Sequence, residues 1–341
     1  MRVVVVGASG NVGTALLRRF VDDGTVTSVV AVARRTPRRP PPAPYSVASW
    51  VACDVAAPSA VDDLVPSMVG ADAVVHLAWA IQPSHDRRRL HQVNVTGTRN
   101  VVEAARRAGV PHVVVASSVG AYSPAPDDVP RGEGWATDGV RSSSYSVDKA
   151  AAERVLDEAE DRYPDLAIAR LRPALVFQRA AGHEISRYFL GPWAPRRAIG
   201  GHLPALPWPA GLRLQVVHAD DAAEAFREAV VRRVRGPFNV AAPDVLRGQE
   251  VADVVAHGRL REVAVAEARA VLATAWHARM VPVGPGWLDM ALAAPLLDTA
   301  RAERELDWRP RWSAVDAVRD LVDGIAAGAG TASPPLRPRK L

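Results

Sequence analysis

Short apolar runs rich in valine alternate with segments of helical periodicity along the first half of this chain. The runs predict strands at 2–6, 27–33, 50–53, 73–77, 112–116 and 167–171, and the segments between them predict helices at 11–22, 58–68, 87–108 and 145–162. Strands separated by helices form parallel sheets with right-handed crossovers. This alternation therefore predicts an α/β fold, a doubly wound parallel sheet covered by helices on both faces.

Beyond residue 177 the pattern is less regular. Residues 178–214 are rich in proline and glycine and predict loops with short helices. The later residues predict strands at 215–217 and 238–241 and helices at 221–231, 248–257, 262–277, 288–292, 299–305 and 314–325. We expect a main domain over 1–177 and a smaller, irregular C-terminal region over 178–327, of which about 215–242 returns to the main domain. The proline-rich, basic residues 328–341 are predicted to be disordered.

A glycine-rich turn follows the first predicted strand and opens the first predicted helix. A sharp turn, a close approach of the backbone to a pyrophosphate and tight helix–sheet packing each favour a residue without a Cβ atom. The helix N-terminus then offers free N–H groups and the positive end of its dipole to phosphates. We therefore predict a Rossmann-type dinucleotide site at Gly7, Ser9, Gly10, Asn11, Val12 and Gly13.

The end of the second predicted strand distinguishes between the nicotinamide dinucleotides. A carboxylate there would bind ribose hydroxyls and repel a 2′-phosphate, but the chain has Arg34 and Arg35 and no acid before Asp54. Because arginine binds phosphate through two parallel hydrogen bonds, NADP(H) is favoured over NAD(H). In an arginine-rich chain the pair also fits a solubilising surface, so NAD(H) stays open. Asp54 fits either a contact with adenine or the cap of the next turn.

Lysine occurs only at positions 149 and 340 among the 42 basic residues. A lysine inside so arginine-rich a fold indicates a task that guanidinium cannot perform. Tyr145 lies four residues before Lys149, on the same face of a predicted helix. An ammonium about 4 Å from the phenol, at an effective dielectric of about 20, would lower the pKa of tyrosine by about three units, toward neutral pH. Ser118, after the strand 112–116, is placed to orient a substrate oxygen.

Together these motifs resemble the extended short-chain dehydrogenases/reductases, also called the NAD-dependent epimerase/dehydratase family. The resemblance covers nearly the whole chain. Beyond the glycine turn it rests on Asp54-Val55, His76-Leu77-Ala78, Asn94-Val95-Thr96-Gly97-Thr98, Ser117-Ser118-Val119-Gly120-Ala121-Tyr122, Tyr145-x-x-x-Lys149, Arg172-Pro173, Val217-His218-Ala219-Asp220-Asp221 and Leu306-Asp307-Trp308-Arg309-Pro310.

The resemblance implies roles for individual residues. Tyr145 would be the general acid/base, with Lys149 holding the nicotinamide ribose and lowering the pKa of the tyrosine, and Ser118 holding the substrate oxygen. Asn94 would brace the helix beside the active site, although a local hydrogen bond inside its own helix fits equally well. The further cofactor-binding residues implied are Val55, Leu77, Ala78, Trp79, Pro173 and Ala174. A homodimer through helices of the main domain is also implied.

The substrate is less constrained than the cofactor. Relatives that act on sugar nucleotides usually carry a glycine–acid–glycine turn and an arginine just before the segment 217–221; the turn is missing here, and Arg213 is its only remnant. An aromatic wall is predicted instead, which suits a small or hydrophobic carbonyl compound, although the same side chains also fit a core of the smaller region. These candidates are Trp79, Tyr188, Phe189, Trp193 and Trp208, together with Ser118.

The leading hypothesis is thus an NAD(P)-dependent oxidoreductase that interconverts a carbonyl and an alcohol by hydride transfer. A nucleotide-sugar epimerase or dehydratase that retains NAD is the first alternative. A regulator that binds NADP(H) without catalysis is the second, and the presence of Ser118, Tyr145 and Lys149 argues against it.

Composition excludes several other classes. The net charge of +5 and the pI of about 9.8 raise the question of nucleic acid, but the arginines are spread along the chain and often lie beside acids. The sequence contains no apolar run long enough to span a membrane, and a strand is predicted at the very start, which leaves no room for a signal peptide. The single cysteine, Cys53, allows no internal disulfide. His76 and His218 predict packing and capping rather than a metal site, and we expect a cytoplasmic protein.

Overall fold

A seven-stranded parallel sheet forms the centre of the protein in a computed structural model that describes residues 1–38, 40–81, 86–190 and 203–338. Its strands lie in the order β3-β2-β1-β4-β5-β6-β10, so the chain reverses its winding direction between β1 and β4. The eleven strands of the described residues are β1 Arg2–Val6, β2 Ser28–Ala33, β3 Ala48–Ala52, β4 Ala73–His76, β5 His112–Ala116, β6 Ala167–Pro173, β7 Leu175–Phe177, β8 Leu206–Pro209, β9 Val216–His218, β10 Gly236–Val240 and β11 Leu260–Val263.

Helices cover both faces of this sheet, and two apolar clusters of buried residues lie between sheet and helices. Valines of β1 alternate between the two clusters, as expected for a strand that is buried on both faces. The α-helices of the described residues are α1 Asn11–Phe20, α2 Ala60–Met68, α3 Arg87–His91, α4 Gly97–Arg107, α5 Ser144–Arg162, α6 Gly182–Ile185, α7 Ala219–Arg232, α8 Gly248–Val255, α9 Val265–His277, α10 Pro285–Ala293, α11 Ala300–Leu306 and α12 Ala314–Ala326. Within the described ranges, no helix combines the length and apolarity needed to cross a membrane.

The predicted α/β class and the doubly wound parallel sheet are confirmed. All six strands predicted before residue 177 are present, within two residues at either end, and α3 and α4 replace the single helix predicted over 87–108. A π-helical turn over Gln92–Thr96 joins these two helices, and local propensity does not encode that turn.

The predictions were weaker beyond residue 177. Strand β8 was missed because it contains two prolines, and β11 because two of its four residues were assigned to the helix predicted over 262–277. The two strands pair with each other alone, and as an edge strand β8 tolerates proline. Strand β9 confirms the strand predicted over 215–217 within one residue, whereas β7 and its parallel pairing with β9 were missed, since only contacts distant in sequence stabilise that pair.

The prediction of disorder does not hold for residues 328–338. Ser333 and Leu336 are fully buried, and Ala332 packs against the apolar cluster under α1. The Thr331 N–H donates to the carbonyl of Leu336 at 3.1 Å, which closes the segment into a compact loop. A segment of low hydrophobicity is disordered when its few apolar side chains cannot be buried. Here the side chain of Leu336 is fully buried, so the segment is ordered.

Candidate active site

The glycine-rich turn lies at the carboxyl edge of the sheet, between the ends of β1 and β4. Gly7 has φ +90°, and a Cβ atom on it would lie 2.4 Å from the backbone nitrogen of Ala78. A Cβ on Gly13 would lie 2.6 Å from the carbonyl oxygen of Gly7, so the first turn of α1 packs directly on the loop. Both positions therefore require glycine, for the close packing that the sequence predicted.

A cavity of about 290 Å³ opens beside this turn. The N-terminus of α1 borders it at Gly10, whose position offers no side chain to cap the free N–H groups of the helix. Of the predicted cofactor-binding residues, the cavity is lined by Gly7, Ser9, Gly10, Arg34, Arg35, Asp54, Val55, Leu77, Ala78 and Trp79. Backbone donors at a helix N-terminus beside a concave apolar wall fit a dinucleotide pyrophosphate.

Asn11 and Val12 do not line this cavity. The amide nitrogen of Asn11 donates to the carbonyl of Val176 at 3.0 Å, and its amide oxygen accepts from Gln178 at 2.6 Å. Val12 packs against the core under the sheet. Their side chains thus join α1 to the segment around β7, which leaves only their backbone N–H groups for a ligand.

Three guanidinium groups line the cavity near Asp54. Arg34 and Arg35 are exposed after β2, and Arg89 from α3 pairs with Asp54. Burial acts to raise the pKa of Asp54, but the N–H of Ala56 and the Arg89 guanidinium lower it overall, so Asp54 is ionised at neutral pH. Sequence reasoning missed Arg89, since its place beside Asp54 depends on how α3 crosses the sheet edge.

The three predicted catalytic side chains lie close together, where β5 ends and α5 begins; they are Ser118, Tyr145 and Lys149. The Ser143 hydroxyl caps α5, which places Tyr145 in its first turn and Lys149 one turn later. The Ser118 side chain lies close enough to Tyr145 to act on the pKa of its phenol, and the ammonium of Lys149 lies 5.8 Å from the centre of the Tyr145 ring and donates to the carbonyl of Ala116 at 2.8 Å. The trio that the sequence predicted is therefore one cluster in the fold.

The predicted direction of the tyrosine pKa is wrong for the protein without a bound cofactor. Burial raises the pKa of Tyr145 to about 12, and the Ser118 side chain lowers it only in part. Burial also lowers the pKa of Lys149 to about 7, against the opposing effect of the Glu153 carboxylate. A lysine that is only partly charged at neutral pH cannot compensate the burial of the phenol. Tyr145 is accordingly protonated.

Trp79 lies between the cavity and the trio of Ser118, Tyr145 and Lys149. It lines the cavity, whereas Ser118, Tyr145 and Lys149 do not. The ammonium of Lys149 lies 3.5 Å from the centre of the Trp79 ring, and the rings of Trp79 and Tyr145 meet edge to face at 5.9 Å. This cation–π contact holds the lysine side chain in place.

Further aromatic side chains cover Tyr145 on its other side. The ring of Trp287, from α10, lies 4.9 Å from that of Tyr145, and Phe189 meets Trp287 edge to face at 5.1 Å. A Cβ on Gly120 would lie 2.9 Å from the Tyr145 ring and 3.0 Å from the sulfur of Met290, so this wall is closely packed. Sequence reasoning missed Trp287, because nothing near it in the chain indicates that α10 docks against α5.

Of the predicted substrate residues, Tyr188 lines the cavity and Trp208 does not, and Trp193 lies outside the described residues. Tyr188 is buried and lines the cavity. Trp208 is a core residue of the β8–β11 pair: its indole N–H donates to the carbonyl of Leu212 at 2.9 Å, and Gly248 packs against its ring. The assignment of Trp208 to the substrate pocket is therefore wrong, for the packing reason already open in the sequence. Trp193 falls in the range 191–202, which the structure does not describe.

The remaining predicted cofactor residues act through neighbours. Asn94 is buried; its amide oxygen accepts from the N–H of Ala80, and its amide nitrogen donates to Asp148 on α5. Asn94 therefore braces α5 against the loop after β4, which is one of the two roles that the sequence allowed for it. Ala174 is packed against Tyr122, and Pro173 is buried at the end of β6.

A buried ion-pair network supports α5 from behind. The Glu153 carboxylate lies one turn after Lys149 and accepts from the Arg172 guanidinium through two bonds, at 2.8 and 2.9 Å. Arg170 adds a third bond at 2.9 Å and the Ser117 hydroxyl a fourth at 2.5 Å. All four side chains are more than nine-tenths buried. The network joins α5 to β6 and so fixes the position of Lys149.

Neither histidine of interest belongs to a metal site. His76 is buried, accepts from or donates to Thr98, and has its pKa lowered to about 3 by burial and by Lys149. His218 stacks on Trp312 at 3.9 Å and caps α7. The described ranges contain no cluster of three or more His, Cys, Asp or Glu side chains able to hold a metal.

The fold and this cluster define an α/β protein with a glycine-rich turn at the carboxyl edge of its sheet and a Ser–Tyr–Lys trio nearby. Residues 3–241 match the model of the NAD dependent epimerase/dehydratase family. The chain belongs to the NAD-dependent epimerase/dehydratase family, as its motifs predicted.

Individual relatives show how far this assignment reaches. An uncharacterized protein of Mycobacterium tuberculosis is 29% identical over 97% of this chain, which spans only 31% of that protein's length. A 2-alkyl-3-oxoalkanoate reductase of Stenotrophomonas maltophilia is 31% identical over 52% of the chain and 51% of its own length. The dTDP-glucose 4,6-dehydratase DesIV of Streptomyces venezuelae, solved with NAD and TYD bound, superposes with a TM-score of 0.71 at 21% identity, covering 99% of this chain and 100% of its own. At that identity the likeness concerns the fold.

Proposed function

We propose that this protein is an NAD(P)-dependent oxidoreductase that interconverts a ketone or aldehyde with its alcohol. The convergence of Ser118, Tyr145 and Lys149 beside the cavity that the glycine-rich turn borders carries the proposal. In its support, the glycine turn offers the close backbone approach and free N–H groups that a pyrophosphate requires. Net consumption of NADPH or NADH with a panel of carbonyl compounds tests it, and no turnover of any carbonyl would contradict it.

The raised pKa of Tyr145 suits the reduction direction. When bound, a reduced nicotinamide would supply the hydride that the carbonyl carbon accepts. Ser118 holds the carbonyl oxygen, and Tyr145, which is protonated at neutral pH, donates its proton to that oxygen as negative charge develops there. The ammonium of Lys149 then stabilises the phenolate that is left. In the reverse direction the same phenolate removes the proton of the alcohol.

The acid–base balance predicts the pH profile of reduction. Because burial lowers the pKa of Lys149 to about 7, kcat/KM for the carbonyl substrate should fall by about tenfold per pH unit above that value. Tyr145 contributes no fall in this range, since its pKa of about 12 keeps it protonated. Steady-state rates at saturating cofactor from pH 5.5 to 9.5 measure the profile. A flat profile up to pH 9 would remove Lys149 from the chemistry.

We propose NADP(H) as the preferred cofactor. The exposed guanidinium groups of Arg34 and Arg35 border the cavity beyond Asp54, where they can bind a 2′-phosphate. Asp54 itself is engaged by Arg89, which limits its repulsion of a phosphate.

Replacing Arg34 and Arg35 by serine should weaken the binding of NADPH by at least about tenfold and leave the binding of NADH nearly unchanged. A hydrogen bond between arginine and phosphate contributes about 1.5–3 kcal/mol. Affinities of both dinucleotides at one fixed salt concentration measure this. The matched control is the exposed pair Arg304 and Arg309, which lies on or beside α11. An equal loss for both dinucleotides would point to a general charge effect.

The aromatic wall favours an apolar carbonyl substrate. The rings of Trp287 and Trp79 lie against Tyr145, and Phe189 meets Trp287, so this wall presents mainly apolar ring surface. Arg213, the remnant of the diphosphate-binding arginine, is buried and engaged by Asp128 and the carbonyl of Asp127. We propose that residues 178–327 supply most of the substrate contacts, by way of α6 and α10.

A nucleotide-sugar epimerase or dehydratase is the second candidate, favoured by the fold of DesIV. Retention of NAD(H) through purification, without net turnover of any carbonyl, would support it. We keep two further predictions from the sequence, a cytoplasmic location and a homodimer through helices of the main domain; the mass in solution tests the dimer.

A further inference from the structure

The segment 329–338 lies against the glycine-rich turn, more than three hundred residues away along the chain. The hydroxyl of Ser333 donates to the carbonyl of Ser9 at 2.5 Å, and both residues are more than nine-tenths buried. Pro335 lines the same cavity as Gly7, Ser9 and Gly10. The segment is thus part of the cavity wall.

Further contacts fix the segment in this place. The hydroxyl of Thr331 lies 2.6 Å from that of Tyr45, which in turn lies 3.0 Å from the hydroxyl of Thr14 on α1. The fully buried side chain of Leu336 and the bond from the Thr331 N–H to the Leu336 carbonyl hold the loop closed. Contacts at both ends of the loop therefore hold Ser333 against the glycine-rich turn.

The bond to Ser9 orients one particular peptide group. The carbonyl of Ser9 points toward Ser333, while the N–H on the other side of the same peptide, that of Gly10, donates to the carbonyl of Gly7 at 3.1 Å. These two hydrogen bonds, one on each side, oppose rotation of the peptide plane. It lies at the N-terminus of α1, where the N–H groups that follow must already face a phosphate for tight binding.

We propose that residues 329–338 act as a clamp that holds the glycine-rich turn in its dinucleotide-binding conformation and completes the wall of the cavity with Pro335. This rests on the proposed dinucleotide binding and adds a determinant of affinity to it. The dinucleotide then binds to a turn that is ordered in advance, so the clamp acts on affinity and not on the chemical step.

Two variants test the clamp: deletion of residues 329–341, and Ser333→Ala. The matched control is Ser67→Ala, since Ser67 is also a buried serine whose hydroxyl donates to a backbone carbonyl, that of Leu64 at 2.7 Å on α2. Calorimetric titration with NADPH and NADH gives the dissociation constants, and hydrogen exchange gives the protection of amides 9–14 in the unliganded protein.

We expect Ser333→Ala to raise the dissociation constant by about fivefold, the worth of one hydrogen bond, and the deletion to raise it by more. Amides 9–14 should exchange faster in both variants, and Ser67→Ala should bind as the unaltered chain does. Unchanged dinucleotide affinity in Ser333→Ala and in the folded deletion variant overturns the clamp. Failure of the unaltered chain to bind either dinucleotide would instead refute the proposed function.

Discussion

Replacing Tyr145 by phenylalanine should lower the rate of carbonyl reduction by about 10²–10⁴-fold, the usual contribution of a positioned general acid. The substitution removes only the hydroxyl, because the ring stays packed between Trp79 and Trp287. Dinucleotide affinity should therefore hardly change, since Tyr145 does not line the cavity. Single-turnover reduction with preloaded NADPH separates the chemical step from binding.

Tyr163→Phe is the matched control for this experiment. Tyr163 lies at the far end of α5, where its hydroxyl donates to Glu103 at 3.0 Å, well separated along the helix from the trio. Its loss should leave turnover unaltered. If Tyr145→Phe reduces the substrate as fast as the unaltered protein, the proton comes from another group. A protein that binds NADPH but is indifferent to Tyr145 in every assay would be the non-catalytic regulator.

Replacing Glu153 by alanine should lower the free energy of unfolding by about 3–5 kcal/mol, the usual cost of removing one partner from a buried ion pair. The guanidinium of Arg172 would lose both of its bonds to carboxylate oxygens, and Arg170 would lose one of its own. The Arg172 side chain is buried where β6 meets α5, so water cannot replace the carboxylate. Urea unfolding at pH 7 measures the loss.

Glu158→Ala provides the contrast on the same helix. Glu158 pairs with Arg99, but both side chains are more than half exposed, and such pairs contribute only about 0–1 kcal/mol. If Glu153→Ala were no more costly than Glu158→Ala, the buried network would not be stabilising α5.

The same carboxylate predicts part of the acid sensitivity. Burial acts to raise the pKa of Glu153, but the bonds and charges of Arg172 and Arg170 lower it from 4.5 to about 2. Because the folded-state pKa is the lower one, the stabilisation is complete above about pH 4.5 and is lost as the pH falls toward 2. In Glu153→Gln, unfolding free energy should fall less steeply across this window.

Much of the fold followed from patterns that are local in sequence. Alternation of valine-rich runs with helical segments predicts a parallel sheet wherever the strands are buried on both faces, and β1, β4 and β5 are. Gly7 and Gly13 predicted the turn because the constraint on them is one of backbone geometry. Tyr145 and Lys149 were found because four residues make one helical turn.

The features that no local pattern predicted depend on contacts between distant segments. Trp287 covers Tyr145 and Glu153 binds Arg172 only because α10 and β6 pack against α5. Trp208 and Trp79 are both tryptophans in proline- or alanine-rich surroundings, yet one is core and the other borders the cavity. Their environments differ only through packing.

The sequence by itself determined the sheet and the glycine-rich turn and singled out the trio of Ser118, Tyr145 and Lys149, because each follows from the periodicity of a strand, a helix or a turn. Only the tertiary structure decided the protonation of that trio, the aromatic wall around it and the place of residues 329–338. A pKa depends on how much water burial removes, and a segment is ordered only if a pocket receives its apolar side chains; neither quantity exists until the chain is folded.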